Sequence, residues 1–297
     1  MDNKIGIYYA YWAKDWKADF IPYIKKVKTL GFDILEIAAG SLPELPKYKL
    51  TEIAKVANDN NIELTYCIGF PGDKDLSSLD EKVRRDGIEY AKKLLDCISI
   101  MGGRILGGII YASWPSVPGV GLESKKQWWE HSVTSVKEVG KVAENCGVLY
   151  CLEVVNRFEC FLLNTVDEGK QFVREVENKN VKLLLDNFHM NIEEDYIGQS
   201  IIKAGCDLGH FHIGECNRKV PGRGHMPWEE IMDALVEIDY SGAVVMEPFV
   251  KMGGEVGRDI RVWRDLSDQA DEMKMDEEAR FALDFVRNAM KSSVARK

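Results

Sequence analysis

The chain has no run approaching the roughly 18 consecutive apolar residues of a membrane-spanning helix, and its opening "MDNKIGIYYAYW" lacks the positive region and apolar core of a signal peptide. A cytoplasmic protein with no membrane partner is therefore expected. No Lys/Arg-rich block occurs and the net charge is −9, so the electrostatic footprint of a nucleic-acid binder is missing. The seven cysteines are odd in number and never spaced as C-x-x-C, which argues against a disulfide framework or a zinc ribbon. Cys151 and Cys160 read as reduced core residues. No G-x-G-x-x-G or Walker A pattern follows any apolar run, which weakens the nucleotide-binding open sheets. Nothing resembles a Gly/Ser-rich or Pro-rich linker, so one catalytic domain spanning residues 1–297 is expected.

What is present is an ordinary globular composition, 45% hydrophobic and 29% charged. Eight β-rich apolar runs stand out: "IGIYYA" from 5, "DILEIAA" from 33, "ELTYCIG" from 63, "RILGGIIY" from 104, "VLYCLEVV" from 148, "VKLLLDNF" from 181, "LGHFHIG" from 208 and "AVVMEPF" from 243. Each interval leaves room for one helix and two short loops, the rhythm of a parallel sheet. Eight such units predict a (β/α)8 TIM barrel. Capping boxes are expected at Ser78/Glu81 and Thr165/Glu168, and a helical segment from Ser124 is expected to end on Gly147.

The stretch "VLYCLEVVNRFE" sets a problem, because Glu153 sits inside a run that reads as a strand buried on both faces. An ionised carboxylate there is costly unless it is paired, hydrogen-bonded or bound to metal. Four consecutive strands carry one metal-ligand type near the C-terminal end: Glu153, Asp186, His212 and Glu247. In a closed barrel those ends converge on one mouth, where such folds place their active sites. Three carboxylates and an imidazole suit Mn²⁺, Mg²⁺, Co²⁺ or Zn²⁺, with Mn²⁺ or Co²⁺ favoured. Taken singly, a strand-end Asp often caps the next loop and a lone His is usually a core residue. Four successive repeats favour the metal. Asn156, Arg157, Glu159, His189, Glu215, Asn217 and Arg218 follow in loops at the same mouth, though Arg157 or Arg218 alone reads equally as a salt-bridge residue. Tyr8, Trp12, Trp114 and Phe249 are candidates for an apolar wall or for packing. The basic loop "ECNRKVPGRG" is an alternative phosphate site.

Seven motifs, "GIYYAYW", "LGFDILEIAA", "CLEVVNRFE", "NFHMNIEED", "GHFHIGECNRKVPGRG", "VVMEPFVKMGG" and "VWRDLS", resemble in order those of the ketose 3-epimerases, the D-tagatose and D-psicose (D-allulose) 3-epimerases of the xylose-isomerase-like barrels. The resemblance implies one divalent metal per subunit on Glu153, Asp186, His212 and Glu247. It implies substrate contacts from Glu159, His189, Arg218, Tyr8, Trp114 and Phe249, an unphosphorylated ketose, and a homodimer or homotetramer. Inverting C3 needs a base on one face and an acid on the other, roles for Glu153 and Glu247 through a cis-enediolate. Aldose–ketose isomerisation, dehydration and metal-stabilised sugar binding without catalysis are the rivals. Three departures stand out: Asn187 where the family usually has Thr, Ser113 where it has an aromatic, and the loop "GFPGDKDLSS". They bear on substrate preference more than on reaction type.

Overall fold

Each of the eight apolar runs forms one strand, and the strands close into a parallel barrel in sequence order. They are β1 (Ile5–Tyr8), β2 (Ile34–Ala38), β3 (Glu63–Cys67), β4 (Ile105–Gly108), β5 (Leu149–Val154), β6 (Val181–Asp186), β7 (Leu208–Ile213) and β8 (Val244–Met246). The computed structural model describes residues 3–118 and 125–296. Ser124 lies outside the described residues.

Among the described residues, ten α-helices accompany the barrel: α1 (Ile21–Leu30), α2 (Lys47–Asp59), α3 (Glu81–Ile100), α4 (Lys126–Cys146), α5 (Val166–Val176), α6 (Asn187–Glu193), α7 (Ile197–Ala204), α8 (Trp228–Glu237), α9 (Gly254–Asp259) and α10 (Glu272–Arg296). Among the described residues no helix is long and apolar enough to cross a membrane.

The barrel interior explains where the chemistry sits. Side chains alternate along a strand, so every second residue points inward. Ile34, Ile105, Cys151, Leu184 and Val245 form a separate apolar plug inside the barrel. Two residues further along the same strands stand Glu36, Glu153, Asp186 and Glu247. The plug is tight: a Cβ on Gly6 would lie 2.7 Å from the Ile34 Cβ, and one on Gly107 would lie 2.6 Å from the Leu184 Cδ1. Polar side chains are thus lifted off an apolar floor toward the C-terminal mouth.

Helix ends mostly follow local rules. Gly147 closes α4 in the left-handed conformation at φ 67°, as expected. Thr165 caps α5, its Oγ1 accepting from the Glu168 N–H at 3.3 Å, while Glu168 reaches back to the Asn164 N–H at 2.8 Å, one residue earlier than a regular capping box. The expected box at Ser78/Glu81 is not formed. Asp80 is the N-cap of α3, extended at φ −81° and ψ 116°, and its carboxylate accepts from the Lys82 N–H at 2.8 Å. Ser78 sits two residues earlier in a turn, its Oγ accepting from the Asp80 N–H at 3.1 Å. Asp80→Ala is expected to lower unfolding free energy by about 1 kcal/mol, with Ser78→Ala costing clearly less. Urea midpoints check this, and the reverse order would return the cap to Ser78.

Candidate active site

Glu153 near the end of β5, Asp186 closing β6, His212 in β7 and Glu247 just after β8 come together at the mouth. One ligand atom from each lies within 4.8 Å of the others. All four are buried. Local structure pins each one. Asp186 doubles as the cap of α6, accepting from the Phe188 N–H at 2.9 Å, and the Glu247 N–H donates to the Ile213 carbonyl at 2.9 Å.

Arg218 follows β7 in a left-handed turn at φ 61°, closed by its N–H donating to the Glu215 carbonyl at 2.9 Å. That uncommon conformation for a non-glycine residue turns the side chain inward. The guanidinium donates to Asp186 at 2.9 Å and to Glu247 at 3.2 Å, and lies 3.7 Å over the Phe188 ring.

The charges follow from these contacts. Burial, reinforced by the Glu247 carboxylate, holds Glu153 well above the carboxylate range. Burial also raises Glu247, to about 7, against the pull of His212 and Arg218. Asp186 stays low because Arg218 and the nearby histidines outweigh its burial. Burial opposes charge on His212, but Glu36, Glu247 and Glu153 together raise it to about 10. Without a cation the site therefore keeps protons on its carboxylates and imidazole.

His189 is the opposite case: burial lowers it despite Glu159 and Asp186, so it is neutral. Its Nδ1 faces the backbone N–H of Asn156 at 3.3 Å and the Asn156 Nδ2 at 2.8 Å. The Asn156 Oδ1 is taken by the Phe158 N–H at 3.0 Å, which fixes the amide. Nδ1 is therefore the acceptor and Nε2 carries the hydrogen. That Nε2 lies 3.6 Å from Glu153 and 3.8 Å from Asp186.

A cavity of about 340 Å³ opens above the cluster, lined by Tyr8, Trp16, Trp114, Phe249, Glu153 and Glu247 among others. Trp16 is the hub of the aromatic wall, with ring centroids 6.4 Å from Tyr8, 6.3 Å from Trp114 and 6.3 Å from Phe249. Glu159 stands beside the wall, accepting from Trp114 Nε1 at 2.9 Å and Asn156 Nδ2 at 3.0 Å.

Not every sequence candidate converges here. Trp12 turns away, donating to Asp276 on α10 at 2.8 Å, because the turn Tyr9–Tyr11 redirects the chain after β1. Arg157 is exposed and held by Glu193 at 2.7 Å. Glu215 and Asn217 brace their own loop, Glu215 accepting from Gly222, Met226 and Trp228. In the basic loop Lys219 pairs with Asp268 at 3.1 Å and Arg223 with Glu278 at 2.7 Å. With Arg218 turned to the carboxylates, the loop lacks the free cations a phosphate needs.

The donor set fits a divalent cation. His212 Nδ1 is buried, has no hydrogen-bond partner, and lies 3.7 Å from Glu247 and 3.9 Å from Glu153. Hard oxygen donors with one imidazole suit Mn²⁺, Co²⁺ or Mg²⁺. A second grouping, Glu36, Cys67 and His212, is equally close, but Glu36 is already committed to His212, His210 and Thr65.

Residues 24–266 match the family model of the xylose isomerase-like TIM barrel. The D-psicose 3-epimerase of Ruminiclostridium cellulolyticum is 53% identical over 284 residues, covering 96% of this chain and 97% of that one. The chain belongs to the ketose 3-epimerases. The D-psicose 3-epimerase of Agrobacterium fabrum is 49% identical, covering 96% of this chain and 98% of its own length. The crystal structure of a D-psicose 3-epimerase with D-tagatose, from Clostridium cellulolyticum, superposes with a TM-score of 0.94 at 52% identity, covering 97% of this chain and 99% of that one.

Sequence reasoning missed Glu36, His210 and Trp16. Glu36 in "DILEIAA" carries the same signal as Glu153, a carboxylate inside an apolar strand. Trp16 lies too far past β1 for a strand-end count to reach it. As a ketose 3-epimerase the chain should show Trp16→Ala raising KM for its ketose, whereas Trp12→Phe should leave kcat/KM nearly unchanged and cost about 1 kcal/mol of stability through the lost hydrogen bond. Steady-state kinetics with thermal denaturation test both, and a kinetic defect in Trp12→Phe would place that ring in the wall after all.

Proposed function

We propose that this ketose 3-epimerase inverts C3 of free ketohexoses, D-fructose/D-psicose or D-tagatose/D-sorbose. The whole chain would act as one catalytic domain holding one divalent metal, Mn²⁺ or Co²⁺, on Glu153, Asp186, His212 and Glu247. The observation that carries the reading is the pair Glu153 and Glu247, which enter one cavity from strands separated by β6 and β7. The relatives' activity on D-psicose, and the crystallised relative's complex with D-tagatose, support the substrate class. A homodimer or homotetramer, which the family resemblance implies, is part of the proposal.

A bound divalent cation supplies Lewis acidity toward the ketose oxygens and so acidifies the C3 proton. Glu153 removes that proton from one face. Glu247, on the other side of the sugar, delivers a proton to the opposite face of the planar enediolate; in the reverse direction the two exchange roles. His189, neutral with its hydrogen on Nε2, donates toward the oxygen on which charge develops. Arg218 adds fixed positive charge beside it. Glu159, held by Trp114 and Asn156, accepts from substrate hydroxyls. The wall of Tyr8, Trp16, Trp114 and Phe249 covers the carbon face and keeps water out.

Glu153→Gln and Glu247→Gln are each expected to lower kcat by about 10²–10⁴-fold, while Arg218→Ala keeps metal bound. Protein stripped with EDTA and restored with Mn²⁺ should regain turnover and exchange the C3 hydrogen in D₂O. An aldose product would make it an isomerase, and ketose binding without exchange a binding protein.

Cation and proton compete for the same groups, so Mn²⁺ affinity should fall as the pH falls. At pH 7 the Glu153 proton, held well above the carboxylate range, one His212 proton, held to about 10, and about half a proton on Glu247, raised to about 7, must leave. Calorimetry in two buffers of different ionisation heat should read about two to three protons released. Binding without proton release would place the cation elsewhere.

A further inference from the structure

Glu36 on β2 is outside the ligand set and does not line the cavity, yet it is fully buried inside the barrel. Its Oε1 lies 2.7 Å from His212 Nε2 as an ion-pair contact, and neither atom has a hydrogen-bond partner elsewhere. Its Oε2 accepts from Thr65 Oγ1 at 2.8 Å and lies 2.8 Å from His210 Nε2. Glu36 and Thr65 are also paired across β2 and β3 in register, so the carboxylate is held from several directions.

An ionised carboxylate only accepts hydrogen bonds, so the facing Nε2 of His212 carries the hydrogen. When the imidazole gives up its second proton to make way for a cation, the lone pair is therefore left on Nδ1, a buried atom with no hydrogen-bond partner that lies 3.9 Å from Glu153 and 3.7 Å from Glu247. We infer that Glu36 is the positioning residue of the metal centre: it selects the Nε2–H form of His212, fixes its ring, and so presents Nδ1 to the cation. The inference rests on the metal reading proposed above.

The surroundings speak for this role over packing alone. Apart from His210, which lies in register with Leu184, the layer directly beneath Glu36 is apolar, with Ile34 on the same strand part of the plug. An apolar side chain would fill such a position with less desolvation cost than a carboxylate between two imidazoles. A ligating histidine that donates its other ring hydrogen to a carboxylate is both oriented and made a stronger donor.

The test is calorimetric titration of metal-free protein with Mn²⁺, for wild type, Glu36→Gln, Glu36→Leu and Thr65→Val. Both Glu36 variants are expected to bind about 10–100-fold more weakly, with Thr65→Val affected less, while the near-ultraviolet circular dichroism of the metal-free proteins stays the same. In ¹⁵N-histidine spectra of the Mg²⁺-loaded wild type, His212 is expected to carry its hydrogen on Nε2. This readout does not depend on any variant folding. A hydrogen on Nδ1, or wild-type affinity in folded Glu36 variants, would overturn the inference while leaving the metal reading intact. A wild type that binds no Mn²⁺ would overturn the metal reading, and this inference with it.

Discussion

Charge in a dry barrel is the constraint on which the rest of the structure depends. Three carboxylates, Glu153, Asp186 and Glu247, share a buried space at the barrel mouth, and each would be expensive alone. The fold meets that cost with Arg218 from the side and His212 from the wall. What remains uncompensated shows as protons held on Glu153, Glu247 and His212. A site that holds protons on this donor set is one that could bind a divalent cation in their place. Even the left-handed backbone at Arg218 follows from this, since a side chain continuing outward would leave Asp186 and Glu247 facing each other without a counter-charge.

The fold was legible because each strand is a short apolar run and each gap holds one helix. Inward alternation brings the four strand-end candidates Glu153, Asp186, His212 and Glu247 to one point, so their convergence is readable from residue type and strand position alone. Glu36 escaped because it lies in the middle of the barrel wall, where a strand-end criterion does not look, and its partners Thr65 and His210 are distant in sequence. Trp12 and Trp16 show a different limit. Both follow β1, and which ring reaches the cavity is decided by the turn Tyr9–Tyr11 and by the hydrogen bond from Trp16 to Asp259, neither of which a pattern of residue types encodes. The cap of α3 was misplaced for a similar reason: Ser78 and Asp80 are both good caps, and only the backbone at Asp80 separates them.

Two of the three departures from the family's usual pattern, Ser113 and the loop "GFPGDKDLSS", are connected. Ser113 donates to Asp75 at 3.2 Å, and Asp75 belongs to the variant loop "GFPGDKDLSS". Asp75 also accepts from the backbone and hydroxyl of Ser77, so it organises the loop it sits in. A phenylalanine at 113 could not make the bond to Asp75, so the unusual residue and the unusual loop are joined by one hydrogen bond.

That change reaches the cavity through Trp114. Its N–H donates to the Phe70 carbonyl at 2.7 Å, and a Cβ on Gly69 would lie 2.7 Å from the Trp114 Cβ. The ring thus rests against a loop whose shape Ser113 and Asp75 hold. Asn187 acts elsewhere, its Oδ1 accepting from the Gly214 N–H at 2.8 Å and tying the start of α6 to the loop after β7. Glu153, Asp186 and His212 sit on strands and Glu247 directly follows one, so the barrel fixes the buried cluster. Trp114 and its supports sit on loops held by a mixture of backbone and side-chain hydrogen bonds. The cluster and the aromatic wall therefore depend on different parts of the molecule, and Ser113 and its loop touch only the second.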